Sequence, residues 1–141
     1  MKILVADDDP VSRRLLESYL KKWDYQCVVA SDGAEAWRLF QAEEFPIVIC
    51  DWLMPEIDGP ELIQRIRHSD KAGYVYIILL TGKSRKDDIV EGMESGADDF
   101  VSKPFDHDEL RVRLRAGERI VNLERSLRDA QQALQRTQNQ S

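Results

Sequence analysis

The chain has 141 residues, 43% of them hydrophobic and 33% charged, with a net charge of −6. That length supports one domain with a real core, and the balance is that of a globular chain, neither disordered nor membranous. The acidic excess argues against a phosphate-tracking surface for nucleic acid or anionic lipid. No apolar run reaches the roughly 20 residues of a spanning helix, and MKILVADDD turns acidic too soon for a signal peptide, so a cytoplasmic location is expected.

In chain order, Ile3 to Ala6 reads as a short strand that ends on Asp7 and Asp8. Asp9-Pro10 opens a helix, proline suiting the first turn, and its apolar face is read as Val11, Leu15, Tyr19 and Leu20. Cys27 to Ala30 is the second strand, and Gly33, Trp37 and Phe40 mark the second helix. Ile47 to Cys50 is the third strand; it stops on Asp51, and Asp58-Gly59-Pro60 restarts the chain as a helix bearing Leu62, Ile63 and Ile66. Tyr76 to Leu80 is the fourth, ending at Thr81-Gly82. Ser84 and Asp87 then suggest a cap for a helix carrying Ile89, Val90 and Met93. The weakest strand, Phe100 to Val101, precedes Lys103-Pro104, and Asp106 with Glu109 caps a last helix that nothing clearly stops before about Gln138. Cys27 and Cys50 lie in apolar runs as reduced core thiols do, and His68 and His107 sit singly in polar surroundings.

Continuous apolar runs fit strands covered on both faces. Strict β/α alternation then implies a flavodoxin-like three-layer α/β sandwich, with a five-stranded parallel sheet in the order 2-1-3-4-5 and an extended C-terminal helix. In that order Asp7, Asp8, Asp51, Thr81 and Lys103 all fall at the carboxyl edge of the sheet, where open α/β sheets bind ligands. Each residue alone has an ordinary turn or cap explanation; their convergence from four segments favours a site. Clustered carboxylates repel unless a cation sits among them, and hard oxygen donors suit Mg²⁺, with Mn²⁺ as a substitute. A lysine and a threonine hydroxyl opposite that metal make a phosphoryl-binding site. With no His or Cys nucleophile at hand, a carboxylate is the acceptor, best Asp51 on its central strand.

These motifs, LVADDD, ICDWLMPEIDG, LLTG and GADDFVSKPF in order over roughly residues 1–120, resemble the receiver domain of two-component response regulators. The resemblance implies that Asp51 takes a phosphoryl group from a sensor histidine kinase or phosphotransfer protein. Asp8, Asp51 and the Leu53 backbone carbonyl would hold Mg²⁺, Asp7 would act through water, and Lys103 would contact the phosphoryl oxygens beside a cis bond to Pro104. Thr81 and Phe100 match the switch positions. Phe100 lacks a hydroxyl, so burial would drive its rotation, a fixed structural Phe100 being the alternative. The face of the fourth helix, last strand and fifth helix would then dimerise or release a partner. Such a chain is a signalling phospho-acceptor with slow autodephosphorylation, not an enzyme. Leu53 and Lys83 flank the site where the family varies, and an apolar Leu53 offers nothing to position a hydrolytic water, which favours a longer-lived phosphoryl group.

Two other readings remain open at this stage. Asp7-Asp8-Asp9-Pro10-Val11 formally fits the D-x-D-x-[TV] motif of Mg²⁺-dependent haloacid-dehalogenase-like phosphohydrolases, and the fold could serve as a non-phosphorylated interaction module. Residues 121–141 form a helical extension, coiled-coil-like or a linker to a missing output domain. In it Ile120, Leu123, Leu127, Ala130 and Leu134 recur at three-four spacing, predicting parallel homodimer pairing, and Glu124 precedes Arg128 in the favourable order for an ion pair. GERIVNLERSL resembles helices that join receivers to cyclic-di-GMP enzymes or phosphatases. No helix-turn-helix pattern follows residue 120, so no direct DNA binding is expected.

Overall fold

The computed structural model describes residues 1–71, 73–82 and 86–139. Among these, five strands alternate with five helices: β1 (Lys2–Ala6), α1 (Pro10–Lys22), β2 (Gln26–Ala30), α2 (Gly33–Ala42), β3 (Ile47–Asp51), α3 (Gly59–Arg67), β4 (Tyr76–Thr81), α4 (Lys86–Ser95), β5 (Asp99–Ser102) and α5 (His107–Asn139). All pairings are parallel, in the order β2-β1-β3-β4-β5, which is the flavodoxin-like sandwich expected.

Alternating side chains of each strand feed two cores. Leu4, Val48, Cys50, Ile77 and Leu79 pack with Phe40 of α2 and with Leu62, Ile63 and Ile66 of α3. Ile3, Val5, Ile47, Ile49, Ile78 and Leu80 pack with Leu16 and Leu20 of α1 and Leu110, Leu114 and Val121 of α5. Because both faces are covered, the strands need no polar alternation. The buried polar residues of the strands fall at carboxyl ends, where Asp51 and Thr81 are the last strand residues, paired in register with Leu80 and Ser102.

Of the apolar face expected of α1, Leu20 is buried and Tyr19 packs half-buried against the core, but the first two positions are corrected by one residue. Ser12, Leu16 and Leu20 are buried, whereas Val11 is 75% exposed and Leu15 is exposed as well. The helix is oriented at its start, where the Asp9 side chain accepts from Val11 N and the Arg13 guanidinium donates to the Asp7 carbonyl at 2.9 Å. That rotation leaves Ser12 as the small residue over the sheet. Among residues 89–95 of α4, Gly92 and Ser95 are buried and the expected Ile89 is half-buried, while Val90 and Met93 face solvent. A Cβ on Gly92 would lie 2.8 Å from Leu79 Cδ2, so the helix sits too close to the sheet there for a larger residue. The Ser84 cap expected for this helix, and Lys83, lie outside the described residues.

Helix α5 has 33 residues and is capped by Asp106, whose carboxylate accepts from the backbone of Asp108 and Glu109. Gly117 does not break it. The absent Cβ would stand 2.6 Å from Tyr76 Cδ1, so glycine lets α5 lie directly on the ring at the start of β4. After Val121 every residue through Gln138 is exposed. The Glu124–Arg128 ion pair is not formed; both residues border a groove of about 460 Å³ with Phe45 and Tyr74 at the amino edge of the sheet. Among the described residues, no helix is long and apolar enough to cross a membrane.

Candidate functional site

The structure brings Asp7, Asp8, Asp51, Thr81 and Lys103 to the carboxyl edge of the sheet. Asp7 is fully buried just past β1, Asp8 beside it is exposed, and Asp51 is buried at the tip of the central strand. Carboxylate oxygens of the three lie within 4.8 Å of one another, a donor set that could hold a cation. Lys103 reaches across from the end of β5. Its Nζ donates to Asp51 Oδ2 at 2.8 Å and to Asp7 Oδ1 at 3.2 Å, and the Lys103–Pro104 bond is cis.

One atom tests whether a cation fits. Asp7 Oδ1 is satisfied by the Asp9 amide at 3.0 Å as well as by Lys103. Asp7 Oδ2 is 3.0 Å from Lys103 Nζ, an ionic contact without hydrogen-bond alignment, and accepts no hydrogen bond although it is buried. A buried carboxylate oxygen lacking a donor is costly, and a hard cation among the three acids would relieve it.

Asp51 is held on both oxygens: Oδ1 accepts from Trp52 N at 2.8 Å and Oδ2 from Lys103. Burial pushes its carboxyl up to about 6; Lys103 opposes that rise and the Asp7 charge adds to it. Burial alone would lower the Lys103 ammonium, but hydrogen bonds to Asp51 and Asp7 outweigh it and the net shift is upward. The backbone beneath is tied down from both sides. Trp52 N also donates to the Leu80 carbonyl at 3.0 Å, and Gly59 N to the Trp52 carbonyl at 2.8 Å. Gly59 is required by that approach, since a Cβ there would stand 2.5 Å from the Asp51 carbonyl oxygen.

Thr81 is buried, and its carbonyl accepts from Lys103 N at 2.8 Å, so the fourth and fifth strands deliver their polar residues as a unit. Phe100 is partly buried. With Trp52, Leu79, Thr81, Ile89 and Gly92 it lines a cavity of only about 10 Å³. Leu53 lies on the open side of the site, 68% exposed.

The model of the response regulator receiver domain family matches residues 3–115. The chain belongs to that family. A probable transcriptional regulator, ycf27, of Guillardia theta is 44% identical over 121 residues, 86% of this chain and 46% of that protein. A putative response regulator from Chloroflexus aurantiacus superposes with a TM-score of 0.78 at 32% identity, over 82% of this chain and 95% of that one. The signal receiver domain of an HD domain-containing protein from Pseudomonas fluorescens gives 0.79 at 29% identity and covers 91% of each chain. The receiver thus spans about half the length of the curated relatives it matches.

Membership of a signalling family displaces the phosphohydrolase reading. The second Asp of its formal motif, Asp9, serves instead as the N-cap of α1. The structure also holds one support for the site, and a second polar network away from it, that the sequence did not reveal. Arg13 bonds the Asp7 carbonyl, a contact set by the β1–α1 turn and invisible to spacing. At the opposite edge Arg67 donates to the carbonyls of Gly96 and Val75 and to Asp98 Oδ2, while Asp98 also accepts from Ile77 N and Tyr74. Arg67 and Asp98 stand 31 residues apart on different elements, so nothing in their spacing marks this network.

Proposed function

We propose that this receiver is a phospho-acceptor switch in which Asp51 takes a phosphoryl group from the phosphohistidine of a sensor histidine kinase or phosphotransfer protein. The carrying observation is the Asp51 carboxylate, buried at the tip of the central strand, grouped with two further acids and bonded to Lys103. Asp51 attacks phosphorus as the bond from phosphorus to the donor nitrogen breaks; the donor ring, already protonated on its other nitrogen, keeps that proton and leaves as neutral imidazole. Lys103, already between Asp7 and Asp51, meets the incoming phosphoryl oxygens. Asp8, Asp51 and the Leu53 carbonyl would hold Mg²⁺, or Mn²⁺ in its place, with Asp7 acting through water; bound there, the ion neutralises charge on the transferring group.

Thr81 and Phe100 then carry the switch. The cavity between them is far too small for the Phe100 ring, so inward rotation requires Thr81 to move first toward the phosphoryl group. The face that would respond already exposes Val90 and Met93 on α4 and Val112 on α5. For the whole protein, the curated relative named a transcriptional regulator favours a DNA-directed output through a separate domain over a cyclic-di-GMP one. A cytoplasmic location fits that role.

Incubation with acetyl phosphate and Mg²⁺ tests the reading: the mass should rise by one phosphoryl group, acetate leaving as phosphorus bonds to Asp51. Asp51→Asn should show no gain. No gain in the wild type, either with acetyl phosphate or with phosphorylated kinases, would leave the non-phosphorylated interaction module as the better account.

A further inference from the structure

Of the three acids at the carboxyl edge, Asp8 alone makes no hydrogen bond or ion pair among the described residues. Asp51 is held on both carboxylate oxygens. Asp7 is fixed through its amide, which donates to the Ala30 carbonyl at 3.2 Å, and through Oδ1, which accepts from the Asp9 amide and Lys103. The direction of the exposed Asp8 carboxylate is therefore set by its backbone alone. The peptide joining it to Asp7 is held at a single point, the Asp7 carbonyl, which accepts from Arg13 Nη1 at 2.9 Å. Arg13 is half-buried in the first turn of α1, and its own amide donates to the Asp9 carbonyl at 2.9 Å. The guanidinium thus reaches back over the β1–α1 turn from a fixed base.

We infer that Arg13 is a positioning residue for the metal-binding acids. By holding the Asp7 carbonyl it stops the Asp7–Asp8 peptide from rotating and keeps the Asp8 carboxylate beside those of Asp7 and Asp51, whose oxygens lie within 4.8 Å of it. The inference rests on the Mg²⁺ site proposed above but not on phosphoryl transfer. Mg²⁺ demands near-octahedral geometry at about 2.1 Å, so it tolerates little drift in a ligating carboxylate. Arg13 acts through a carbonyl and makes no ion pair among the described residues. Its charge works the other way: on electrostatics alone, removing a cation beside the site would tighten binding of a dication. Position and charge therefore predict opposite signs, and one variant separates them.

The test is calorimetric titration of the full chain with Mg²⁺, without phosphoryl donor, so that its outcome does not depend on phosphotransfer. Arg13→Met keeps the apolar stem and removes the donor; it should weaken Mg²⁺ binding by about tenfold, as loss of a group that orients a ligand typically does. Arg13→Lys, which retains a donor, should recover most of that loss. Arg14→Met removes the same charge from the next residue, which is exposed and unbonded among the described residues, and should leave the Kd within about twofold. With acetyl phosphate, Arg13→Met should need about ten times more Mg²⁺ for half-maximal loading yet match the wild-type rate at saturating Mg²⁺. A weaker Kd in a chain that never loads would sink the phosphoryl reading and leave this one standing. An Arg13→Met Kd that is unchanged or tighter, a loss that Arg13→Lys leaves in full, an equal loss in Arg14→Met, or a wild type that binds no Mg²⁺ would overturn the proposal.

Discussion

Asp51 holds its charge against the fold, and that sets a pH dependence of defined sign. Its carboxyl is raised from 3.8 to about 6 by burial, so between those values the folded state binds a proton that the unfolded chain has released. Stability from this group is therefore lost as pH rises through that window. In metal-free buffer Asp51→Asn should raise unfolding free energy at pH 7 by about 1–2 kcal/mol. The gain should shrink as pH falls below 6 and vanish below about 4; denaturant titrations across that range read it directly. Gly59→Ala should act oppositely, costing about 1–3 kcal/mol by pressing a methyl group on the Asp51 carbonyl, and the Tm would report it. Leu53→Asn changes only an exposed side chain, yet it should shorten the phosphoryl lifetime severalfold, measured as decay of the labelled protein. The acids and Lys103 were legible as a site because parallel topology forces strand ends together. Arg13 was not, because its partner is a backbone carbonyl, which leaves no mark in sequence.

At the scale of elements, strand order and helix positions could be read from alternation alone, since a sheet covered on both faces admits few arrangements. Helix rotation could not. In α1, Val11–Leu15 and Leu16–Leu20 offer competing apolar rows, and the cap at Asp9 with the Arg13 anchor decides between them. Among residues 89–95 of α4 the inward positions are Ile89, Gly92 and Ser95, and no hydropathy pattern would choose the last two over Val90 and Met93. Close approach, not apolarity, selects that face. The same principle yields a test at α5. Gly117→Ala gains about 1 kcal/mol of helix propensity but drives a methyl group to 2.6 Å from the Tyr76 ring. Overpacking wins where the ring has little room to retreat, so the Tm should fall despite the better helix former.

For the molecule as a whole, burial ends at Val121 while the helix continues to Asn139. Ending the chain after Asn122 should leave the Tm at low concentration within about 2 °C of the full-length value, because residues 123–138 are all exposed. Helix α5 begins at the edge that bears Asp51 and crosses the sheet to the far edge, where Gly117 meets Tyr76. A phosphoryl donor, as proposed, would meet the pole that bears Asp51, while the exposed half of α5 leaves from the opposite pole. A partner held on that half of the helix would leave Asp51 open, so a phosphoryl mark of the kind proposed could turn over without such a partner first letting go.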